Sequence, residues 1–376
     1  MSHTNPFTRR KLGLQIAAIA FVVSLTAACS SGTPSPGPSS TAPQDISFKI
    51  GLVPGIPTAA GYALQKYADP NVTVEQTAIT SAPIGLAGLL SGDLDVLPVG
   101  YVSYIQSIAR GDKITAIAGV ANGGLEIVVN PSLIPAGKLD KDQARYTGDE
   151  PWKLLDGKTI ATIPGTFPDI ACRRYLKLHN VNLANITFVT APSFPVQTTL
   201  VADGSVDAAC GLDPFPLISR ADGSVVLLDY PYPDLDSNLA YSTVLVTATD
   251  TIKSNPALVQ AAVSTFVKST EAMNKGDDRA NLLDTLETYL PYPRDILSLG
   301  VAKDPTGKKD PQYWRNTVFT NTMNNVSVAK LVSFMLTLGV IDGDEATIAK
   351  NVADGFDYSF LAEATGKAAA ELGQGK

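Results

Sequence analysis

From Phe48 onward, short runs of Val, Ile, Ala and Phe alternate with longer stretches whose apolar residues recur at helical spacing. Segments 48–53, 72–77, 96–100 and 114–120 read as strands, and 58–68, 81–91 and 101–110 between them as helices. A second series has the same order: strands at 159–163, 186–190 and 206–210, helices at 169–179 and 195–202. Strands alternating with helices predict mainly parallel sheets covered on both faces. Ligands of such sheets sit beyond the carboxyl ends of the strands. Two further β-branched runs, 125–130 and 241–248, are expected to carry the chain between the two series and back, and to act as the hinge. Beyond Asn255 the pattern is helical, with Pro256 at a helix start and a later helix at 328–338, both expected to pack on the first lobe.

The two series are a weak duplication. Ile50-Gly51-Leu52-Val53-Pro54-Gly55 matches Ile160-Ala161-Thr162-Ile163-Pro164-Gly165 at an offset of 110. The stretch from Leu89 to Val96 pairs with that from Leu200 to Ala208, aligning Gly92 with Gly204 and Asp95 with Asp207 at an offset of 112. Two blocks in one order and at nearly one offset point to two facing copies of one α/β unit.

The N-terminus has a different character. Arg9, Arg10 and Lys11 precede an apolar run over 12–25, shorter than the roughly 20 residues that span a bilayer. Leu25-Thr26-Ala27-Ala28-Cys29 closes it, small residues before a cysteine, as in a secretory signal. Thr8-Arg9-Arg10 leaves general secretion and twin-arginine export both open. Residues 30–43 are only Ser, Gly, Thr, Pro and Ala, a spacer unable to bury a core. The expected division is 1–28 leader, 29–43 Cys29 and spacer, 44–128 with 245–376 first lobe, and 129–244 second lobe. Loss of the leader takes the formal net charge from −7 to −10, which argues against a nucleic-acid partner. Cys172 and Cys210 remain, as a disulfide or as two buried thiols.

Catalytic groups are scarce. Past the leader there is one histidine, His179, at a helix end, with no zinc spacing and no phosphate loop. No cofactor and no metal are expected, and binding leads over catalysis. The candidate contacts are the strand-to-helix turns: Pro54-Gly55-Ile56, then Gly165-Thr166-Phe167, Ser81 at a helix start, and Gly100-Tyr101 at a strand end. Asp213-Pro214 reads either as a helix cap with proline behind it or as a cleft carboxylate facing a ligand amine or N–H.

Ser91-Gly92-Asp93-Leu94-Asp95-Val96 with Gly100, Leu155-Asp156-Gly157-Lys158-Thr159-Ile160-Ala161 with Pro164-Gly165-Thr166, and Gly204-Ser205-Val206-Asp207-Ala208 with Asp213-Pro214-Phe215 carry a resemblance. The chain resembles solute-binding proteins of the nitrate/sulfonate/taurine and thiamine-precursor ABC importers, of the type 2 periplasmic-binding-protein fold. Its Leu-x-Ala-Ala-Cys resembles the bacterial lipobox. The resemblance implies two lobes closing on a small solute, delivery to a permease with its ATPase, and ligand contacts at Gly55, Ser81, Thr166 and Asp213. It also implies a lipid on Cys29, an extracytoplasmic place at the cell membrane, and a monomer. The chain departs from the pattern at Asp213, where Glu after Trp is common. It also has no Lys or Arg in the candidate loops, which disfavours nitrate. Tyr101, Phe167 and Phe215 suit an aromatic or heterocyclic solute. The alternatives are an enzyme on the same fold acting on a menaquinone or thiamine precursor, and a ligand sensor.

Overall fold

Alternating β-branched runs become strands wherever both faces of a sheet can be covered. The computed structural model describes residues 44–229, 242–274, 279–290, 292–295, 297 and 318–375. The leader, Cys29, the spacer and Tyr241 lie outside the described residues. The strands are β1 (Ile46–Leu52), β2 (Val72–Ala78), β3 (Leu97–Gly100), β4 (Ile114–Asn122), β5 (Leu125–Val129), β6 (Leu139–Asp140) and β7 (Arg145–Tyr146). They continue with β8 (Thr159–Thr162), β9 (Thr187–Thr190), β10 (Ala208–Leu212), β11 (Val226–Asp229), β12 (Ser242–Ala248) and β13 (Val318–Phe319).

In the first lobe β1 and β2 pair in parallel, and a bridge from Ile50 to Val96 joins β1 in parallel to the start of β3. The neighbouring sheet has the order β13-β4-β12-β3, with β12 antiparallel to both β3 and β4. The second lobe holds one sheet ordered β6-β7-β11-β5-β10-β8-β9, in which β8 runs parallel to β9 and β10 while β5 opposes β10 and β11. The orders β2-β1-β3-β12-β4 and β9-β8-β10-β5-β11 are therefore the same. All strands within a copy point one way, and the single reversed strand in each is a crossing strand.

Side-chain bonds repeat with the sequence. The Asp95 carboxylate accepts the Lys49 N–H at 2.7 Å, and Asp207 accepts the Thr159 N–H at 2.8 Å and its hydroxyl at 2.7 Å. Lys49 and Thr159 each sit one residue before the matched isoleucines Ile50 and Ile160. The aligned glycines Gly92 and Gly204 both have positive φ, 84° and 78°, which a side chain would resist.

The runs expected to link the copies are strands, but they are built into the sheets. β5 is fully buried between β10 and β11, and the chain reaches it through Gly123-Gly124, both with positive φ. β12 lies between β3 and β4. A strand bonded on both sides cannot flex as a linker, which corrects the hinge reading of 125–130 and 241–248.

The helices are α1 (Ala59–Tyr62), α2 (Leu64–Tyr67), α3 (Ala82–Ser91), α4 (Tyr101–Ala109), α5 (Phe167–Leu178), α6 (Phe194–Ala202), α7 (Phe215–Ala221), α8 (Thr249–Ser254), α9 (Pro256–Asn274) and α10 (Arg279–Tyr289). The helix expected at 58–68 is instead a 3-10 turn, Ile56–Thr58, followed by the short α1 and α2. Gly61 lies within this segment because Leu52 presses on it: a Cβ there would stand 2.4 Å from the Leu52 side chain. The helix expected at 328–338 is likewise split, into Asn325–Ala329 and Leu331–Thr337. As the pattern predicts, α9 packs Val259, Val263 and Phe266 into the first core with Phe48, Ile50 and Val246. In the second lobe Ile127, Ile160, Cys172 and Tyr175 fill one face of the sheet, and Val128, Ala161, Ala209 and Val201 the other. Cys172 and Cys210 form a disulfide inside that core, Cα to Cα 6.1 Å, resolving the choice the sequence left open. The first core continues into Ile170, Ala171 and Leu217 of α5 and α7, so the two lobes are packed together.

Candidate functional site

Six strand ends converge on one edge. The Pro54-Gly55-Ile56 turn follows β1, Ser81 follows β2, and Gly100-Tyr101 joins β3 to α4. Gly165-Thr166-Phe167 follows β8, Ser193 follows β9, and Asp213 follows β10. This is the carboxyl edge at which parallel strands leave room for a ligand.

Two pairs of these turns meet across the lobes, and α4 adds a third contact. The Ile56 N–H donates to the Asp213 carbonyl at 3.4 Å, and a Cβ on Gly55 would lie 3.8 Å from that same oxygen. A Cβ on Gly100 would touch the Phe167 side chain at 3.4 Å. A Cβ on Gly165, where φ is 73°, would lie 2.9 Å from Gln106 Nε2 of α4. Glycine is used where the two lobes approach closely.

The Gly165 loop is held by its own helix. The Asp169 carboxylate accepts the Gly165 N–H at 3.2 Å and Arg173 Nε at 2.7 Å. Thr166 occupies the cap position of α5, but its hydroxyl donates to the Ile163 carbonyl at 2.7 Å and does not cap the helix. Ser81 sits at the cap of α3, also without a side-chain cap bond, and makes no contact with the other candidate turns among the hydrogen bonds described here. Pro54 is exposed at the rim.

Tyr101 stands differently from its sequence reading, and of the two readings of Asp213 one falls away. Tyr101 does not reach a cleft lip: it is 2 % exposed, packs near Phe356, and its hydroxyl accepts the Asn324 N–H at 3.4 Å. Asp213 is not a helix cap, because the cap position of α7 is Pro214 and no side chain bonds there. The helix begins one residue later than Asp-Pro suggests, which frees the carboxylate from a capping role.

Asp213 is the exceptional group of the edge. It is fully buried, and neither carboxyl oxygen has a hydrogen-bond partner. Burial pushes its carboxyl well above the usual carboxylate range; Glu126 adds to the rise and Arg220 opposes it. Phe215, two residues on in the chain, is stacked on Phe194 at 6.2 Å and met edge-on by Tyr292 at 5.7 Å. A buried carboxyl with both oxygens unpartnered, followed by aromatic rings, is suited to a flat organic group that brings hydrogen-bonding atoms.

The sequence reading missed Ser193, Phe194, Gln197, Glu126 and Arg220. Ser81-Ala82-Pro83 and Ser193-Phe194-Pro195 share the 112-residue offset, and the two serines share one backbone conformation, φ −160° and −159°. That repeat was a usable signal for Ser193 and Phe194. Gln197 is buried at the opening between β8 and β10, where its amide donates to the Ala161 and Cys210 carbonyls at 2.8 and 2.9 Å.

Elsewhere, His179 stacks on Trp152 at 3.7 Å at the far end of α5, away from the cleft. A recess of about 560 Å³ lined by Thr115, Thr249, Lys253 and Tyr358 lies at the amino end of β4, the edge opposite the candidate site. Among the described residues no group of three His, Cys, Asp or Glu is gathered as for a metal, and no helix is long and apolar enough to cross a membrane.

Solved structures share this architecture. The alkanesulfonate-binding protein of Xanthomonas axonopodis pv. citri bound to MOPS superposes with a TM-score of 0.65 at 17 % identity, over 85 % of this chain and 100 % of its own. The periplasmic nitrate-binding protein of Synechocystis gives 0.70 at 13 % identity, over 88 % and 92 %. A ligand-binding component of an ABC-type import system from Staphylococcus aureus gives 0.65 at 17 % identity, over 86 % and 100 %. These establish the fold, a mixed α/β two-lobe fold of periplasmic binding proteins. No curated protein sequence matches the chain. Residues 42–287, more than half of the chain, match the model of the NMT1-like family, and to that family the chain belongs.

Proposed function

We propose that this chain is the solute-binding component of an ABC importer, tethered outside the cell membrane by a lipid on Cys29. It captures a small organic solute between its lobes and delivers it to a permease. The observation that carries this reading is Asp213: a buried carboxyl with both oxygens unpartnered, where the Gly55–Ile56 turn of the other lobe closes on it. A folded protein seldom leaves such a group unmet, and a bound solute would meet it. Structural neighbours that are transport binding proteins support binding over catalysis.

Gly55, Ile56, Ser81, Gly100, Gly165, Thr166, Phe167 and Asp213 are the contacts we assign to the cleft, with Pro54 at its rim. We divide the lobes at Gly123-Gly124 and before Ser242, a few residues upstream of 128/129 and 244/245. β5 then belongs whole to the second lobe and β12 to the first. Motion between lobes would fall on Gly123-Gly124 rather than on β5 or β12.

A thermal-shift screen with sulfonates, amines, pyrimidines and nitrate tests the reading. A ligand at 100 times its dissociation constant adds about 2.7 kcal/mol of apparent stability. No shift from any class refutes solute binding. For the tether, Cys29→Ser should abolish lipid labelling and membrane association, and unchanged labelling refutes the anchor.

A further inference from the structure

Next to Asp213 the second sheet buries an ion pair. Glu126 of β5 lies directly opposite Gly211 of β10, so its side chain shares the face on which α7 packs. Gly211 makes room there for Pro216 of α7: a Cβ would stand 2.4 Å from the proline ring. On this face Glu126, 1 % exposed, receives Arg220 Nη1 of α7 at 2.6 Å, and Arg220 Nη2 donates to the Gln143 carbonyl at 3.1 Å. The second Glu126 oxygen has no partner, nor has the carbonyl oxygen of the Gln197 side chain on the neighbouring helix α6.

The guanidinium that acts on Asp213 is thus held by another carboxylate. Two acids share one cation; the unmet atoms of Glu126, Gln197 and Asp213 are oxygens, and Arg220 Nε is the unmet donor of the ion pair. An anionic ligand would meet a single such donor, on a guanidinium already engaged by Glu126; a ligand rich in N–H groups would meet acceptors on several sides.

We propose that Glu126 is a positioning residue that sets the specificity of the cleft: by holding Arg220 it keeps Asp213 an open acceptor, so that the site takes a planar organic solute bearing N–H donors or positive charge in preference to an anion. The proposal rests on the reading of the cleft as a solute site and adds to it the class of solute. The flanking Phe194, Phe215 and Tyr292 rings supply the flat apolar wall such a solute needs.

Wild type, Glu126→Gln, Asp213→Asn and the double variant are melted empty, then titrated with benzamidine and with benzenesulfonate. The two probes share one ring and differ in the charged group. With Glu126 present, Asp213→Asn should raise the melting temperature of the empty protein by about 2 °C. In the Glu126→Gln background it should lower it, because there Arg220 turns to Asp213. Wild type should bind benzamidine at least about tenfold more tightly than benzenesulfonate, and Glu126→Gln should erase most of that preference. An effect of Asp213→Asn with the same sign in both backgrounds overturns the proposal, as does a wild-type preference for benzenesulfonate. A sign reversal with no response to either probe upholds the hold on Arg220 and counts against the solute-site reading. Should Glu126→Gln not fold, Glu126→Met takes its place, and the wild-type preference alone still decides.

Discussion

Replacing Asp213 by Asn removes a buried acid without removing a cap, since Pro214 occupies the cap position of α7. Burial, Glu126 and the opposing Arg220 together hold the Asp213 carboxyl well above its ordinary value, so the native state keeps a proton that the unfolded chain releases near pH 3.9. Above that pH the native state binds more protons than the unfolded state, and stability falls as pH rises. The slope approaches about 1.4 kcal/mol per pH unit, and the loss stops once pH exceeds the raised native value. Below about pH 4 both states are protonated and this contribution vanishes. Asn cannot ionise, and it brings N–H donors to surroundings that hold unmet acceptors. The variant should therefore match wild type near pH 4 and exceed it at pH 7 by at least about 1 kcal/mol, the lower end of the cost of an unmet buried polar group. Denaturant titrations of both empty proteins from pH 4 to pH 8 read this directly. A pH-independent difference, or a variant less stable at pH 7, would show that the carboxyl is satisfied in the folded protein.

Two other substitutions probe the frame of the site. Asp207→Ala removes the carboxylate that takes the Thr159 N–H and hydroxyl, and should cost about 2–3 kcal/mol in a denaturant titration. Burial opposes ionisation of Asp207, but the Thr159 bonds and Lys158 outweigh it and hold its carboxyl below the ordinary value. Its contribution is therefore present at neutral pH and lost as pH falls through the lowered value, and an equal cost at acid and neutral pH would contradict this. Gly165→Ala should cost about 1–2 kcal/mol from its φ of 73°. Removing the Gln106 tip with Gln106→Ala should not rescue it, and a full rescue would place the cost in the contact between lobes instead.

How much of this was legible in the sequence depends on how far each feature reaches along the chain. The duplication could be read because its markers are local: Asp95 and Asp207 each pin the strand start of their own copy, and Gly92 and Gly204 each take a positive φ. The strand edge, and with it Gly55, Gly165 and Asp213, followed from strand–helix alternation alone. Whether Asp213 caps a helix or faces a cleft did not, because a shift of one residue in the start of α7 separates the two. Nor did Glu126 and Arg220, which meet only because β5 and α7, 94 residues apart in that pair, pack on one sheet face. Tyr101 follows a strand end as read, yet its ring turns into the first core toward Asn324 and Phe356, from a part of the chain whose path the pattern did not fix. The crossing strands were found as strands but not as sheet members, since β-branched composition does not tell how many neighbours a strand will have.

The central claim is that one solute is held by both lobes at the carboxyl edge, with Asp213 among its contacts. Hydrogen–deuterium exchange with and without a solute found in the thermal-shift screen tests it most directly. The account predicts slowed exchange at 55–58 and 82–86 of the first lobe together with 165–170 and 211–218 of the second, lost in Asp213→Asn. Protection confined to one lobe, or to the recess at Thr115, Thr249 and Tyr358 on the opposite edge, would contradict it.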